Sequence, residues 1–397
     1  MKPNLKFAGL TIVLGLSYPH LYAEISFFNL GLLPTHSRFS VGAISGDGTT
    51  VVGYGSNEAS FSSPNYSVLR WRHDTGLVNL GPLNGSGSGT GYGLNFSGSV
   101  MTSGSWESPG YYSYRWTEEG GQQRLPNLEA GVNVIAKGIS GDGQTIIGSA
   151  STVGIEGSRA FLWNSSVGIR SLGTFGTNFS SEARDINYDG SVVVGSSIET
   201  GGEKAFRWTL ENGLQDLGRL STEPYHGAGA SAVSTDGANV VGYSWVPGPD
   251  NGSLSRAFLW NASSGMQELG LVAGFLSSSA TKVNSDASII TGGFWSRSGT
   301  YNEETGYSDE GGAFIWTPTD GMVNFEEFLE SYGVDLTGWE ILGITDMSEN
   351  GRTLVGNGRL NGEIRGFMVT GVPEPSSLSL LLFGGAVLAA ARRRNRD

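Results

Sequence analysis

Histidine is the first residue to test for acid–base or metal chemistry, and this chain has four, His20, His36, His73 and His226. They lie far apart, with no His-Glu-x-x-His pair to hold zinc and no second ligand at metal spacing. The chain has no cysteine, which removes thiolate nucleophiles, disulfides and Cys-ligated metals. No Gly-x-Ser-x-Gly elbow or phosphate-cradling lysine loop occurs. The glycine-rich stretch 85–93 lacks the strand-to-helix setting that phosphate binding needs and reads as a loop. Glu303-Glu304 and Glu326-Glu327 pair carboxylates in sequence, but adjacency does not place two acids across a sugar bond. No residue is assigned a catalytic, cofactor-binding or metal role, and the expectation is a protein that is not an enzyme.

Oxygen donors crowd the Asp-Gly turns, as in Asn187-Tyr188-Asp189-Gly190. A calcium loop would need further donors and a bidentate acid downstream, whereas Ser191-Val192-Val193-Val194 runs straight into a strand. They read as hairpin turns; calcium is left without support and no cofactor is expected. The aromatics that could hold a ligand stand outside the repeating core positions. Trp106, Trp245 and Trp295 follow a second strand, and Tyr225-His226 lie in a connection on the same side. Flat rings beside Asn and Ser suit sugar stacking, so these five form the candidate ligand-binding rim.

The elements that must position that rim repeat. The turn recurs at Asp47-Gly48, Ser97-Gly98, Asp142-Gly143, Asp189-Gly190, Asp236-Gly237, Asp286-Ala287 and Asn350-Gly351. An Ala-Phe-x-Trp-like strand follows at Trp71, Trp116, Trp163, Trp208, Trp260 and Trp316, with Phe367-Met368-Val369 in the seventh place. A third element recurs at Leu80-Gly81, Leu125, Leu172-Gly173, Leu217-Gly218, Leu269-Gly270 and Phe325. A two-residue Asp-Gly loop between apolar alternations is a hairpin signal, with φ above zero expected at both turn positions. Four short strands every roughly 40 to 50 residues is the spacing of a β-propeller blade. The repeated tryptophans are expected to pack between neighbouring sheets.

The fold class expected is therefore all-β, a β-propeller of seven four-stranded blades. The seventh repeat lacks a fourth strand, while Phe28-Asn29-Leu30-Gly31-Leu32-Leu33 resembles Val78-Asn79-Leu80-Gly81-Pro82-Leu83. The N-terminus is expected to supply the missing strand and close the ring, covering two sheet edges.

Both ends carry transport signals. Lys2 and Lys6, an apolar run from Phe7 to Leu16 and Leu21-Tyr22-Ala23 form a signal-peptide pattern over residues 1–23, with Sec export as the route. At the other end Val372-Pro373-Glu374-Pro375 precedes an uncharged run to Ala391 and Arg392-Arg393-Arg394. Residues 376–391 are read as a short transmembrane helix with the arginines on the cytoplasmic side. The net charge is −13 and falls further once these basic ends are set aside, which argues against nucleic acid as a partner.

Residues 372–394, in that order of motif, helix and arginine cluster, resemble the PEP-CTERM sorting signal of Gram-negative bacteria. The resemblance implies transient inner-membrane anchoring, processing near Pro373-Glu374-Pro375 by an exosortase-type enzyme, and a place among exopolysaccharide and biofilm surfaces. The repeat over residues 25–370 resembles the HAF repeat of extracellular proteins, with Arg159, Lys204, Arg256 and Gly312 where that repeat has its leading histidine. The expected organisation is a signal peptide (1–23), a repeat propeller (24–371) and a sorting signal (372–397). The expected function is a non-catalytic binding or scaffold protein at the cell surface or beyond it, with polysaccharide as partner. The alternative is a carbohydrate-active propeller enzyme, a glycosidase or lyase, which acids, histidines or arginines clustered around the central channel would favour.

Overall fold

Two side chains build each repeating turn. Ser45 Oγ donates to Asp47 Oδ1 (2.6 Å) and accepts the Thr50 N–H (3.0 Å), while Asp47 Oδ1 accepts the Thr49 N–H (3.0 Å). Asn187 and Asp189 divide the same work, accepting from Val192 and Ser191. These side chains satisfy backbone donors that the tight turn leaves without ladder partners. Only the glycine takes positive φ, +77° at Gly48. The loop thus runs from Ser45 to Thr50, with Ser45 N–H bonded to Thr50 O, and is wider than a two-residue turn with both positions left-handed. Blade 6 places Ala287 there at φ 58°, a conformation costing an L-residue roughly 1–2 kcal/mol.

The computed structural model describes residues 24–56, 66–81, 90–107, 110–129, 133–151, 157–176, 180–249, 252–296 and 311–374. Seven antiparallel sheets of four strands result. After β1 (Ser26–Asn29), blade 1 is β2 (Arg38–Ile44), β3 (Thr50–Ser56), β4 (Ser67–Arg72) and β5 (Gly76–Gly81). Blade 2 is β6 (Thr90–Leu94), β7 (Val100–Glu107), β8 (Gly110–Thr117) and β9 (Gly121–Arg124); blade 3 is β10 (Val134–Ile139), β11 (Thr145–Ser151), β12 (Ser158–Asn164) and β13 (Gly168–Gly173). Blade 4 is β14 (Ser181–Ile186), β15 (Val192–Glu199), β16 (Gly202–Thr209) and β17 (Gly213–Asp216); blade 5 is β18 (Ala228–Val233), β19 (Asn239–Pro247), β20 (Ser253–Asn261) and β21 (Gly265–Glu268). Blade 6 is β22 (Ser277–Val283), β23 (Ile290–Trp295), β24 (Gly311–Thr317) and β25 (Gly321–Asn324). After α1 (Phe325–Ser331), blade 7 is β26 (Trp339–Met347), β27 (Thr353–Leu360) and β28 (Glu363–Thr370), completed by β1.

The N-terminus does close the ring. β1 pairs with β28 from Ser26↔Thr370 to Asn29↔Phe367. The paired segment begins before Phe28, because Leu30 already turns inward to join the core between blades 7 and 1. The core is seven apolar clusters, one between each pair of neighbouring blades. The phenylalanine of each Ala-Phe-x-Trp strand lies deepest: Phe161, Phe206, Phe258, Phe314 and Phe367 are fully buried. Trp163, Trp208 and Trp260 are buried beside them, while Trp71, Trp116 and Trp316 stay half-exposed. Those three tryptophans cap the core edge, a lesser role than the sequence suggested.

Each innermost strand bulges. In β14 the ladder to β15 skips Arg184, between Ala183 and Asp185. Gly195 on the facing strand leaves room, since a Cβ there would stand 2.0 Å from Glu182 O. A bulge re-aims the extra side chain; in β10 and β14 that residue is Lys137 and Arg184, and both line the central channel. The Leu-Gly position expected at Phe325 is instead the start of α1. Asn324 caps it by accepting the Glu326 N–H (2.9 Å), Glu326 and Glu327 favour its first turn, and Phe325 and Leu329, one turn apart, bury together in the core between blades 6 and 7.

Candidate ligand-binding rim and central channel

The three rim tryptophans share one place in the blade. Met101, Val240 and Ile290 pair with the core-strand residues Trp116, Trp260 and Trp316. Trp106, Trp245 and Trp295 each follow in the same strand at the same offset. Ile198 and Arg359 hold that place in blades 4 and 7, so the register does not require an aromatic. Trp245 and Trp295 sit on neighbouring blades 5 and 6. Trp106, 64% exposed, belongs to blade 2, across the ring from both. Trp245 is half-buried and packs edge-on against Tyr243 at 6.1 Å. The rim is therefore two separate surfaces.

The richer one lies where blade 4 meets blade 5. The connection carrying Tyr225 lies down on the β15–β16 hairpin, close enough that a Cβ on Gly227 would stand 2.3 Å from Glu203 O. Tyr225 adopts φ 67° and is 78% exposed. Such a backbone is unfavourable for a bulky residue and persists only where its surroundings fix it. Tyr225 lines a cleft of about 540 Å³ with Glu199, Lys204, Asp216 and Arg219. Lys204 bonds Glu199 (2.8 Å) and Asp216 (3.0 Å), and these two bonds raise its pKa. His226 points away from that cleft: its Nε2 meets Ser253 Oγ at 3.2 Å and its carbonyl accepts from Arg219. The Trp245 N–H bonds Gly227 O of the same connection at 2.8 Å, while His226 fastens that connection to blade 5.

The channel holds what the sequence left unread. Arg184 bonds Glu203 (3.1 Å) and Tyr243 Oη (3.2 Å), and Tyr243 donates to the same carboxylate (2.9 Å). Lys137 pairs with Glu182 at 3.3 Å. Lys282 pairs with Asp346 at 3.0 Å, and Asp346 Oδ2 accepts the Ile44 N–H of blade 1 (2.9 Å). Asp185 accepts the Val233 N–H of blade 5 (2.9 Å). Burial raises the Asp185 pKa, with Lys282 opposing it; burial works to lower Lys282, but Asp346 and Asp185 outweigh it and raise that pKa. These side chains are bonded to each other or to backbone, so they clamp blade to blade. The cavity is about 140 Å³, well below the roughly 300–1,000 Å³ of ligand pockets.

At the hairpin mouth of the channel the blades bond through their turns: Asp47 N–H to Phe96 O, Phe96 N–H to Gly141 O, and Tyr188 N–H to Thr235 O. Phe96 and Tyr188 pack edge-to-face at 5.7 Å over this mouth. Gly46 and Gly141 admit the two rings, which a Cβ would meet at 2.6 and 2.3 Å. Burial raises the pKa of Glu349 here. The signal that could have found the channel residues is a charge four or five positions before the turn residue in blades 3, 4, 6 and 7, at Lys137, Arg184, Asp185, Lys282 and Asp346. Among the described residues no group of three acidic or histidine side chains is placed to hold a metal.

The packed chain continues into the C-terminal motif. Val372 is 1% exposed, and its N–H bonds Arg352 O at 3.2 Å. Glu374 stands 3.9 Å from Arg352, and Pro373 is half-buried. Pro375, the arginines 392–394, the helix over 376–391 and the signal peptide over 1–23 lie outside the described residues. Among the described residues no helix is long and apolar enough to cross a membrane.

Residues 371–395 match the PEP-CTERM protein-sorting motif. The chain is thus an exported, membrane-processed protein carrying a PEP-CTERM motif, with a seven-bladed β-propeller as its body. No curated protein matches it. Among solved structures it resembles oligogalacturonate lyase from Vibrio parahaemolyticus, at 12% identity, 88% of this chain and 97% of that one, TM-score 0.54. It also resembles the β-propeller domain of the Trilobed protease from Pyrococcus furiosus, at 9% identity, 87% and 98% coverage, TM-score 0.53. It spans 63% of TolB from Acinetobacter baumannii, with 70% of this chain covered, 13% identity and TM-score 0.44. At these identities the likeness to the lyase and to the protease domain is one of fold alone.

Proposed function

We propose that this propeller is a non-catalytic binding or scaffold protein of the cell-surface polysaccharide matrix, and that it contacts sugar at the boundary of blades 4 and 5. One observation carries this reading: the Tyr225 ring stands exposed on a left-handed backbone beside a polar cleft lined by Lys204, Asp216, Glu199 and Arg219. A flat ring next to hydrogen-bonding groups of both signs is what a sugar's CH face and hydroxyls engage. Sec export through a signal peptide over 1–23, transient anchoring through 376–391 and processing by an exosortase-type enzyme would deliver the ring to that matrix. The likeness of its repeat to HAF repeats fits an extracellular place, and the exopolysaccharide association of the sorting motif fits the partner. A glycan array with the purified ring tests the reading, and binding that disappears in Tyr225→Ala would support it.

A carbohydrate-active enzyme is the second reading, and the charged channel favours it, since Arg184, Asp185, Lys282 and Asp346 converge there. Against it stands the pairing of those groups, which leaves them holding blades together. Incubation with neutral and acidic polysaccharides, followed by assay for new reducing or unsaturated ends, separates the two. Product formation that Lys282→Ala abolishes while the ring stays folded would favour the enzyme.

A further inference from the structure

The sorting motif and the folded ring overlap. The motif match begins at residue 371, yet Val372 belongs to the core cluster that also holds Ile25 and Phe367. Gly371 takes φ +78° so that the chain can pass Glu24; a Cβ there would stand 2.5 Å from Glu24 O. The Val372 N–H is bonded to Arg352 O, and Arg352 also faces Glu374. The two ends of the ring thus lie side by side, with Glu24-Ile25 against Gly371-Val372. The start of the motif is held on both sides of the closing seam.

A protease works on several consecutive residues drawn out of the fold, so docked segments are cut only when they open. We propose that the closed propeller shields the leading residues of its own sorting motif: the processing cut falls beyond Val372, and its rate is set by opening of the blade 7 edge. The bond that breaks is a peptide C–N bond C-terminal to Val372; the carbonyl carbon takes a hydroxyl from water and the released nitrogen takes its proton. A cut before Val372 would strip a side chain from the core, whereas one beyond it leaves the seam complete. Closure by β1 and docking of Val372 then act together, so a ring that has not closed is processed faster than one that has. This inference is independent of what the rim binds.

The test uses the full chain in its own host, with substitutions outside the motif. Arg352→Ala removes the contact to Glu374, and Ile25→Ala loosens the seam beside Val372. Pulse-chase should show processing about twofold faster for Arg352→Ala, as for loss of an exposed ion pair, and at least about tenfold faster for Ile25→Ala, as for a core truncation. Mass spectrometry should place the mature C-terminus at or after Val372. On the purified ring, the Val372 amide should exchange as slowly as the amides of β28. A mature end before Val372, an unprotected Val372 amide, or unchanged processing in both variants would each overturn the proposal. The amide measurement needs no variant, so it stands even where Ile25→Ala fails to fold.

Discussion

Ser26 and Thr370 face each other across an antiparallel ladder, although almost the whole chain lies between them. One four-stranded blade is therefore made from both ends of the protein. The cooperativity of the ring rests on that pairing, because each blade buries its apolar faces only against its two neighbours.

Removing residues 25–33 takes away β1 and Leu30, which packs between blades 7 and 1. The expected outcome is loss of the whole ring in one transition, seen as a collapse of the urea midpoint. A frayed end with six intact blades would show that closure contributes little.

Truncation of the repeated aromatics should follow depth. Phe206 is fully buried and Trp208 nearly so, and both Phe206→Ala and Trp208→Ala are expected to destabilise by about 3–5 kcal/mol. Trp71→Ala should cost clearly less, since half-exposure leaves it less apolar surface to lose. Urea denaturation of the three variants checks the order.

The pH dependence has two signs. Burial raises the Asp185 pKa, so the native ring binds that proton more tightly than the unfolded chain. Stability from this group is greatest in acid and declines as pH rises from the ordinary carboxylate range through the raised value. Asp185→Asn keeps an acceptor for the Val233 N–H and should abolish that decline, leaving melting at neutral pH no lower than the parent. The turn carboxylates behave oppositely. The Asp189 and Asp236 pKa values are lowered by bonds from Ser191 and Ser234, so their contribution is present above the ordinary range and lost as pH falls through the lowered values. Asp236→Asn should flatten the acid limb of a melting-temperature profile.

The blade repeat was legible because its signals are local. An Asp-Gly pair, a β-branched strand and an Ala-Phe-x-Trp strand each follow from turn chemistry and alternation, and the unpaired seventh repeat pointed to the N-terminus. The turn is wider than its spacing suggests because Ser45 and Asp47 act through side chains, which spacing alone does not show. α1 is hidden in the sequence because Phe325 satisfies the apolar position of a strand, and the cap at Asn324 shows only in the fold. The rim was only half legible: strand position placed Trp106, Trp245 and Trp295 on one side, but blade order puts Trp106 across the ring. The channel charges escaped because Lys137, Arg184 and Lys282 converge only when the ring closes.

The most direct measurement is glycan binding by the purified ring, compared with Tyr225→Ala and with Trp106→Ala, each checked for an unchanged melting transition. The wild-type ring is expected to bind a polysaccharide. Tyr225→Ala should weaken it about tenfold, the loss of one stacking contact of about 1.4 kcal/mol, while Trp106→Ala on the far side leaves it unchanged. A ring that binds no glycan, or one whose binding survives Tyr225→Ala intact, would contradict the account.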